Sequence, residues 1–393
     1  DGYYDYNQNF ISAELNSQDF SIKTFENFRP ELKKYALAGE GKLDFKIKGK
    51  PQNPSFNLDF YLPQGKIAGE KISNFKTDLR YRNGLFYLDF LNVKVNKSSE
   101  LVLDGIYNQQ IDEYNFSVKG SDFSSELINK YWENNKLKEF NGELDFDFTV
   151  SGKGFDKEDI NLLGDLNFSS NLGKFYTELW LSNEKIVLDK GFWNIDNNNI
   201  NFAGKIDLAQ KNYDLDFSGT ALAVNSLEEK LKPLLEENFP DLAGQLNIEG
   251  NFNGSFSSPV ISAELNLKNG IYKGIRFAAL KSELHYQNKR LSLQNIEINS
   301  NQARIQGNLR ANLLDDKTTL KADFSLDDLH YNYLKKLLAE FSKYNLSDVE
   351  IPLKGSINAK LLLSGNMSTP RISGSVSSKN SRLEINKEII DFD

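Results

Sequence analysis

Few residues in this chain could carry covalent chemistry. Among 393 residues there are two histidines, His285 and His330, and no cysteine. A general base or a metal site needs convergent partners, and no further histidine and no thiol exists to supply them. His285 lies out of phase with Leu284 and Tyr286, which points it to solvent, and His330 stands where a helix is expected to start. Asp196-Asn-Asn-Asn-Ile200 has the oxygen donors of a calcium loop but lacks that loop's glycine and closing glutamate, so a polar hairpin is expected. No G-x-S-x-G, phosphate-binding loop or dinucleotide fingerprint occurs. The three tryptophans, Trp132, Trp180 and Trp193, read as core residues. The expectation is a protein without catalytic residues, metal or cofactor.

The chemistry that remains is that of apolar surface. In Gly244-Gln-Leu-Asn-Ile-Glu-Gly-Asn-Phe-Asn-Gly254, the side chains of Leu246, Ile248 and Phe252 recur at even spacing, and after Pro259 the frame continues through Ile261, Ala263, Leu265 and Leu267. Such alternation is the period of a strand with one apolar and one wet face. The flanking glycines and the proline read as turn residues. The same pattern returns at Gly39 (Leu43, Phe45, Ile47, then Phe56, Leu58, Phe60) and at Gly142 (Leu144, Phe146, Phe148), where the proline is missing. It returns again at Gly355 with Leu361 and Leu363, followed by Ile372. The steps between the opening glycines are 103, 102 and 111 residues. An in-register recurrence of this kind marks a repeat array.

The expected organisation is therefore the end of a preceding repeat (1–38), three repeats (39–141, 142–243, 244–354) and the start of a fourth (355–393). Each repeat reads as six or seven antiparallel strands and one short helix. Asn83-Gly84 gives the strongest hairpin signal; Asn183-Glu184 and Asn288-Lys289 stand in the matching places, Gln64-Gly65 and Asp315-Asp316 read as further turns, and Pro30–Tyr35 as a short helix. Helices are expected around Leu127 to Trp132, from a capping box at Asn225-Ser-Leu-Glu228 with a kink at Pro233, and around Leu334 to Phe341. If the sheet is continuous, ~4.8 Å per strand gives roughly 100 Å of array. The net charge of −8 without a basic cluster speaks against nucleic acid. No run approaches the length of a membrane span, and the ends read as cuts within repeats, so any anchor would lie outside the segment.

The repeated G-x-ϕ-x-ϕ-x-ϕ-x-ϕ-x-G-(x4)-P-x-ϕ-x-ϕ-x-ϕ, followed by Asn269-Gly-Ile-Tyr-Lys-Gly-Ile-Arg-Phe277, resembles the AsmA-like family, its TamB type in particular. The resemblance implies a mainly β fold, an elongated array curled into a β-taco with a hydrophobic groove. It also implies a periplasmic segment anchored in the inner membrane of a diderm bacterium, an Omp85-type outer-membrane barrel as partner, and phospholipid as cargo. The residues named above are then the groove lining. The expected function is a passive lipid conduit. The competing readings are a periplasmic chaperone that offers strand edges to outer-membrane proteins, a β-helical adhesin stalk, whose repeat would be far shorter, and a polysaccharide-processing enzyme.

Overall fold

A computed structural model describes residues 1–96, 98–126, 141–154, 156–231, 242–272, 274–301, 303–313, 318–331, 353–366, 371–385 and 388–392. The chain is mainly β, and it divides into two units, Asp1–Gly191 and Phe192–Asp393. The first holds β1 (Gly2–Asp5), β2 (Phe10–Ser21), β3 (Ala38–Lys50), β4 (Asn53–Ile67), β5 (Glu70–Arg82) and β6 (Leu85–Val95). It continues with β7 (Ser99–Asn108), β8 (Glu113–Ser124), β9 (Gly142–Lys153), β10 (Asn161–Ser170) and β11 (Gly173–Ser182). Each strand pairs antiparallel with the next, from β1 to β11. Strand β12 (Lys185–Ile195) runs across the division between the units.

The second unit repeats the scheme. Its strands are β13 (Asn198–Asp207), β14 (Asn212–Ala223), β15 (Leu242–Ser255), β16 (Ser258–Tyr272), β17 (Ile275–Gln287) and β18 (Arg290–Ser300). Then come β19 (Ala303–Asn312), β20 (Thr319–His330), β21 (Leu353–Asn366), β22 (Arg371–Ile385) and β23 (Glu388–Phe392), again paired in succession.

Alternate ends of the strands differ in how the chain returns. One edge carries mostly short turns. Asn83 and Gly84 (φ 50° and 80°), Asn183 and Glu184 (49° and 57°) and Asn288 and Lys289 (49° and 60°) all adopt the left-handed pair that a two-residue hairpin of this twist requires. The polar run at 196–200 forms a turn and the start of β13. The opposite edge carries the longer insertions, each leading from the last strand of one repeat into the glycine-marked strand of the next. Between β2 and β3 this insertion is a 3₁₀ turn (Ile22–Thr24), α1 (Phe25–Phe28) and a second 3₁₀ turn (Pro30–Tyr35) with proline at its start. Phe25 packs against Phe20 and Phe60 at ring distances of 5.4 and 6.2 Å, which seats the insertion on the sheet.

Between β14 and β15 stands α2 (Val224–Leu231), whose Val224 packs beside Leu242, Leu246 and Leu267. It begins at Val224, so Asn225 lies inside its first turn rather than capping it. Ser226 and Lys230 instead tie it to Asp196, at 3.1 and 3.5 Å. The helices read at Leu127 to Trp132 and Leu334 to Phe341, the kink at Pro233 and the turn at Asp315-Asp316 lie outside the described residues.

Several expected turns are corrected. Gln64 and Gly65 sit inside β4, and the turn falls at Ala68 and Gly69. Gly39, Gly244 and Gly355 lie within strands, at positive φ (137°, 144° and 130°), where the pairing register slips. Pro54 and Pro259 are strand residues too, placed opposite Gly49 and Gly254. His330 is the last residue of β20, and the chain turns helical at the next residue, Tyr331, one position after the expected start.

The strands that enter an insertion share one irregularity. In β2, β8, β14 and β20 the apolar face passes from Ser17 to Phe20, Gly120 to Phe123, Gly219 to Leu222 and Leu326 to Leu329, a step of three where alternation requires two. A β-bulge absorbs the extra residue and keeps the following side chain on the same face. In three of these strands a left-handed residue sits in the bulge: Asp122 (φ 55°), Ala221 (55°) and Asp328 (51°). Their N–H groups donate to Asp145 Oδ1, Asn247 Oδ1 and Asn358 Oδ1, at 2.8, 2.8 and 3.0 Å. Each acceptor stands third after a repeat-opening glycine; the first repeat has Lys42 there, which cannot accept.

Asn247→Ala should therefore lower stability by about 1 kcal/mol, the net worth of one such bond, while Lys42→Ala should change little. Urea denaturation of both variants measures this; an Asn247→Ala protein with the wild-type midpoint would show that the bulge does not rely on the bond.

Candidate functional site

Cross-strand register decides which side chains share a surface. In the first unit Leu15, Phe45, Leu58, Leu79, Leu88, Gly105, Phe116, Val150, Leu162 and Leu181 are successive partners, so one row crosses β2 to β11 without a polar side chain. A flanking row carries Ile47, Phe56, Tyr81, Phe86, Tyr107 and Tyr114, nearest the short turns. On the other flank lie Leu43 and Phe60, paired with each other, and Phe148 between Val118 and Gly164. Phe146 pairs with Leu166 and Leu144 with Phe168, closer to the insertion edge.

The second unit shows the same face. Leu222, Leu246, Leu267, Leu280, Ile298, Ile305, Leu326, Ala359 and Val376 are partners in turn from β14 to β22. A parallel row holds Phe217, Gly250, Ala263, Leu284, Leu293, Leu309, Ala322, Leu363 and Ile372. Ile248 faces Leu265, Phe252 faces Ile261, and Leu361 faces Phe324. Every residue expected from alternation to line the apolar surface thus falls on one face of its own unit. Ile372 is the most exposed of them, at 66% accessible, and Val376 on the same strand is 65% accessible; β23 pairs only with Ser381 to Ile385 of β22, so among the described residues no strand flanks this stretch on its outer side.

Some row positions are glycines, and aromatic rings cover them. A Cβ added at Gly105 would meet the Phe116 ring at 2.5 Å, and one at Gly120 would meet the Phe146 ring at 2.3 Å. The pairing keeps an apolar surface over a stretch of backbone that would otherwise be bare. Buried hydroxyls are the other exceptions. Thr177 and Ser282 sit among apolar partners, and their Oγ atoms donate to the carbonyls of Glu178 (3.2 Å) and Gln294 (3.0 Å). Alternation alone does not mark them, since nothing in the sequence announces the carbonyl each satisfies.

The face is covered unevenly. Toward the insertion edge Leu43, Leu62, Ile72 and Val93 are buried, as are Leu222, Leu267 and Leu326 in the second unit. Toward the short turns Ile47, Phe56, Tyr81, Phe86 and Tyr107 stay half-buried, whereas Tyr114 in the same row and Ala311 in the second unit are buried.

The opposite face is polar and carries its own repeat. Asp44, Asp59 and Asp78 are direct neighbours across β3, β4 and β5; Asp147, Asp165 and Glu178 across β9, β10 and β11; Glu249, Glu264 and Glu283 across β15, β16 and β17. Like charges directly opposite one another oppose pairing. Lys46 lies 3.6 Å from Asp44 and Lys119 2.8 Å from Asp147, which offsets part of the repulsion. Burial and the hydrogen bond that Tyr176 donates to Asp165 (3.0 Å) push the Tyr176 phenol up to about 12. Burial, with Asp59 and Asp89 nearby, holds the Asp78 carboxyl above its ordinary value, against the pull of Arg80. Among the described residues no group of three or more such side chains is placed to hold a metal ion.

His285 is exposed on this face, with Nδ1 3.1 Å from Ser262 Oγ. Trp180 corrects the expectation of a core residue: it pairs with Leu163 on the polar face and is 50% accessible.

A carboxyl whose pKa is raised by folding favours the native state when protonated, and that contribution is lost as pH rises through the folded value. Asp78→Asn should therefore raise stability at pH 7, by roughly 0.5 kcal/mol on the scale of one like-charge cross-strand pair. The gain should disappear below the ordinary aspartate value of 3.8. Melting curves at pH 7 and pH 3 test this, and equal Tm values at pH 7 would mean the ladder carries no strain. Neither a protein-family model nor a curated protein matches the chain, so the apolar face stands on its own residues.

Proposed function

We propose that this chain is a segment of a passive lipid conduit whose apolar face carries the acyl chains of phospholipids. One observation carries the reading: rows of apolar partners cross ten successive strands in one unit and nine in the other without an ionised side chain. A hydrocarbon chain gains free energy from any such surface, by about 25 cal/mol per Å² covered, and gains no more from one position along a row than from the next. That is the requirement for movement rather than storage. The resemblance to the AsmA-like family supports a place in the periplasm, an inner-membrane anchor, and docking to an Omp85-type barrel through regions beyond this segment. It also supports cargo passing between the inner and outer membranes.

Two tests follow. Photo-crosslinking residues at Leu58 or Leu265 should capture phospholipid, and those at Asn57 or Glu264 should not, because neighbouring residues project to opposite faces. Equal capture at both would remove the apolar face from the function. Leu265→Arg tests passage itself. An unpaired charge in a closed core costs several kcal/mol, but on a half-covered face the guanidinium can reach water, at a cost nearer ~1–2 kcal/mol. The variant should stay folded yet fail to support outer-membrane integrity when placed in the full-length protein. Full integrity with a folded Leu265→Arg protein would favour a chaperone acting through strand edges instead.

A further inference from the structure

We infer, resting on the conduit reading, that a bound phospholipid lies with its acyl chains along the strands, its headgroup at the short-turn edge and its chain ends at the insertion edge. The apolar face has a direction across its width. At the insertion edge of the first unit Ile22 and Phe25 close over Leu43, Phe60 and Leu62, and Leu62 is 1% accessible. At the other edge Phe56, Tyr81, Phe86 and Tyr107 form a continuous aromatic ladder. The ring centroids of Phe56 and Tyr81 are 5.2 Å apart, those of Tyr81 and Phe86 4.6 Å, and those of Phe86 and Tyr107 6.0 Å.

Tyrosine suits a boundary between hydrocarbon and water, since its ring is apolar and its hydroxyl wet. Tyr107 shows that disposition: its ring packs on Phe86 while its hydroxyl donates to Asp112 Oδ1 in the turn, at 2.9 Å. At that edge β3 and β5 end in the exposed Lys50 and Arg82, which alternation places on the polar face, so the aromatic ladder itself sets the boundary of the apolar face. The second unit has the same sense, with buried Leu222 and Leu267 toward the insertion edge and Tyr213 stacked on Phe252 toward the turns, at 4.5 Å.

The width agrees with the cargo. Along β4 the face runs from Phe56 through Leu58 and Phe60 to Leu62, six residue steps or about 20 Å at strand rise. One leaflet of bilayer hydrocarbon is about 15 Å deep. A chain laid along the strand therefore spans from the aromatic ladder to the closed floor, and sliding along the rows leaves its headgroup at the same edge throughout.

The test uses the unmodified 393-residue chain and two phosphatidylcholine probes, one photoreactive in the headgroup and one at the end of an acyl chain, with crosslinked peptides mapped by mass spectrometry. The headgroup probe should label the peptides holding Lys48 to Phe56 and Tyr81 to Phe86, and the tail probe should shift to those holding Phe60 to Leu62, Ile72 and Val93. Reversed labelling, or the same distribution from both probes, overturns the orientation while leaving the conduit intact. Failure of both probes to label the apolar face overturns the conduit and the orientation with it.

Discussion

Everything in this protein depends on register. Strands in both units find their hydrogen-bond partners in the strands before and after them, so each pairing must pass the apolar phase on to the next. A slip of one residue would turn a whole strand inside out and interrupt every row that crosses it. Tight left-handed turns at Asn83-Gly84 and Asn288-Lys289 set the phase at one edge. At the other edge the bulges near Asp122, Ala221 and Asp328 correct it before the chain leaves for an insertion.

The two faces of the sheet solve different problems with the same period. On one, continuity matters more than fit. Leucine, phenylalanine, alanine and glycine replace one another along a row, and rings such as Phe116 over Gly105 keep the surface greasy where a side chain is missing. On the other, the aligned carboxylates of three repeats are tolerated at a small cost each, which is what solvent exposure and nearby lysines permit. The carboxylates keep that face wet, which sets it apart from the apolar one.

Much of this was legible in the sequence because alternation and hairpin chemistry are local. Leu43 to Ile47 and Leu246 to Phe252 give their face away by spacing alone, and Asn83-Gly84 gives its turn. What was not legible is equally physical. Gly39, Gly244 and Gly355 read as turn residues, yet they are strand residues at irregular points of the ladder. The three-residue step from Gly120 to Phe123 looks like lost alternation until the Asp145 carboxylate that holds Asp122 is seen on the next strand. Trp180 reads as core because large apolar side chains usually are, but register sends it to the polar face beside Leu163. The closed and open edges of the apolar face could not be read at all, since they depend on where an insertion lands.

Pairing between successive strands has a further consequence, for how such a chain comes to be folded. The contacts that hold β4 to β5, or β16 to β17, close loops of only a few residues, so their entropic cost is small and the mean sequence separation of contacts is low for an all-β protein. A hairpin can form as soon as its two strands are available, and each later strand adds to an edge already in place. Growth can then keep step with a chain delivered from one end, with a single unsatisfied edge at the growing side and no need to wait for a distant partner.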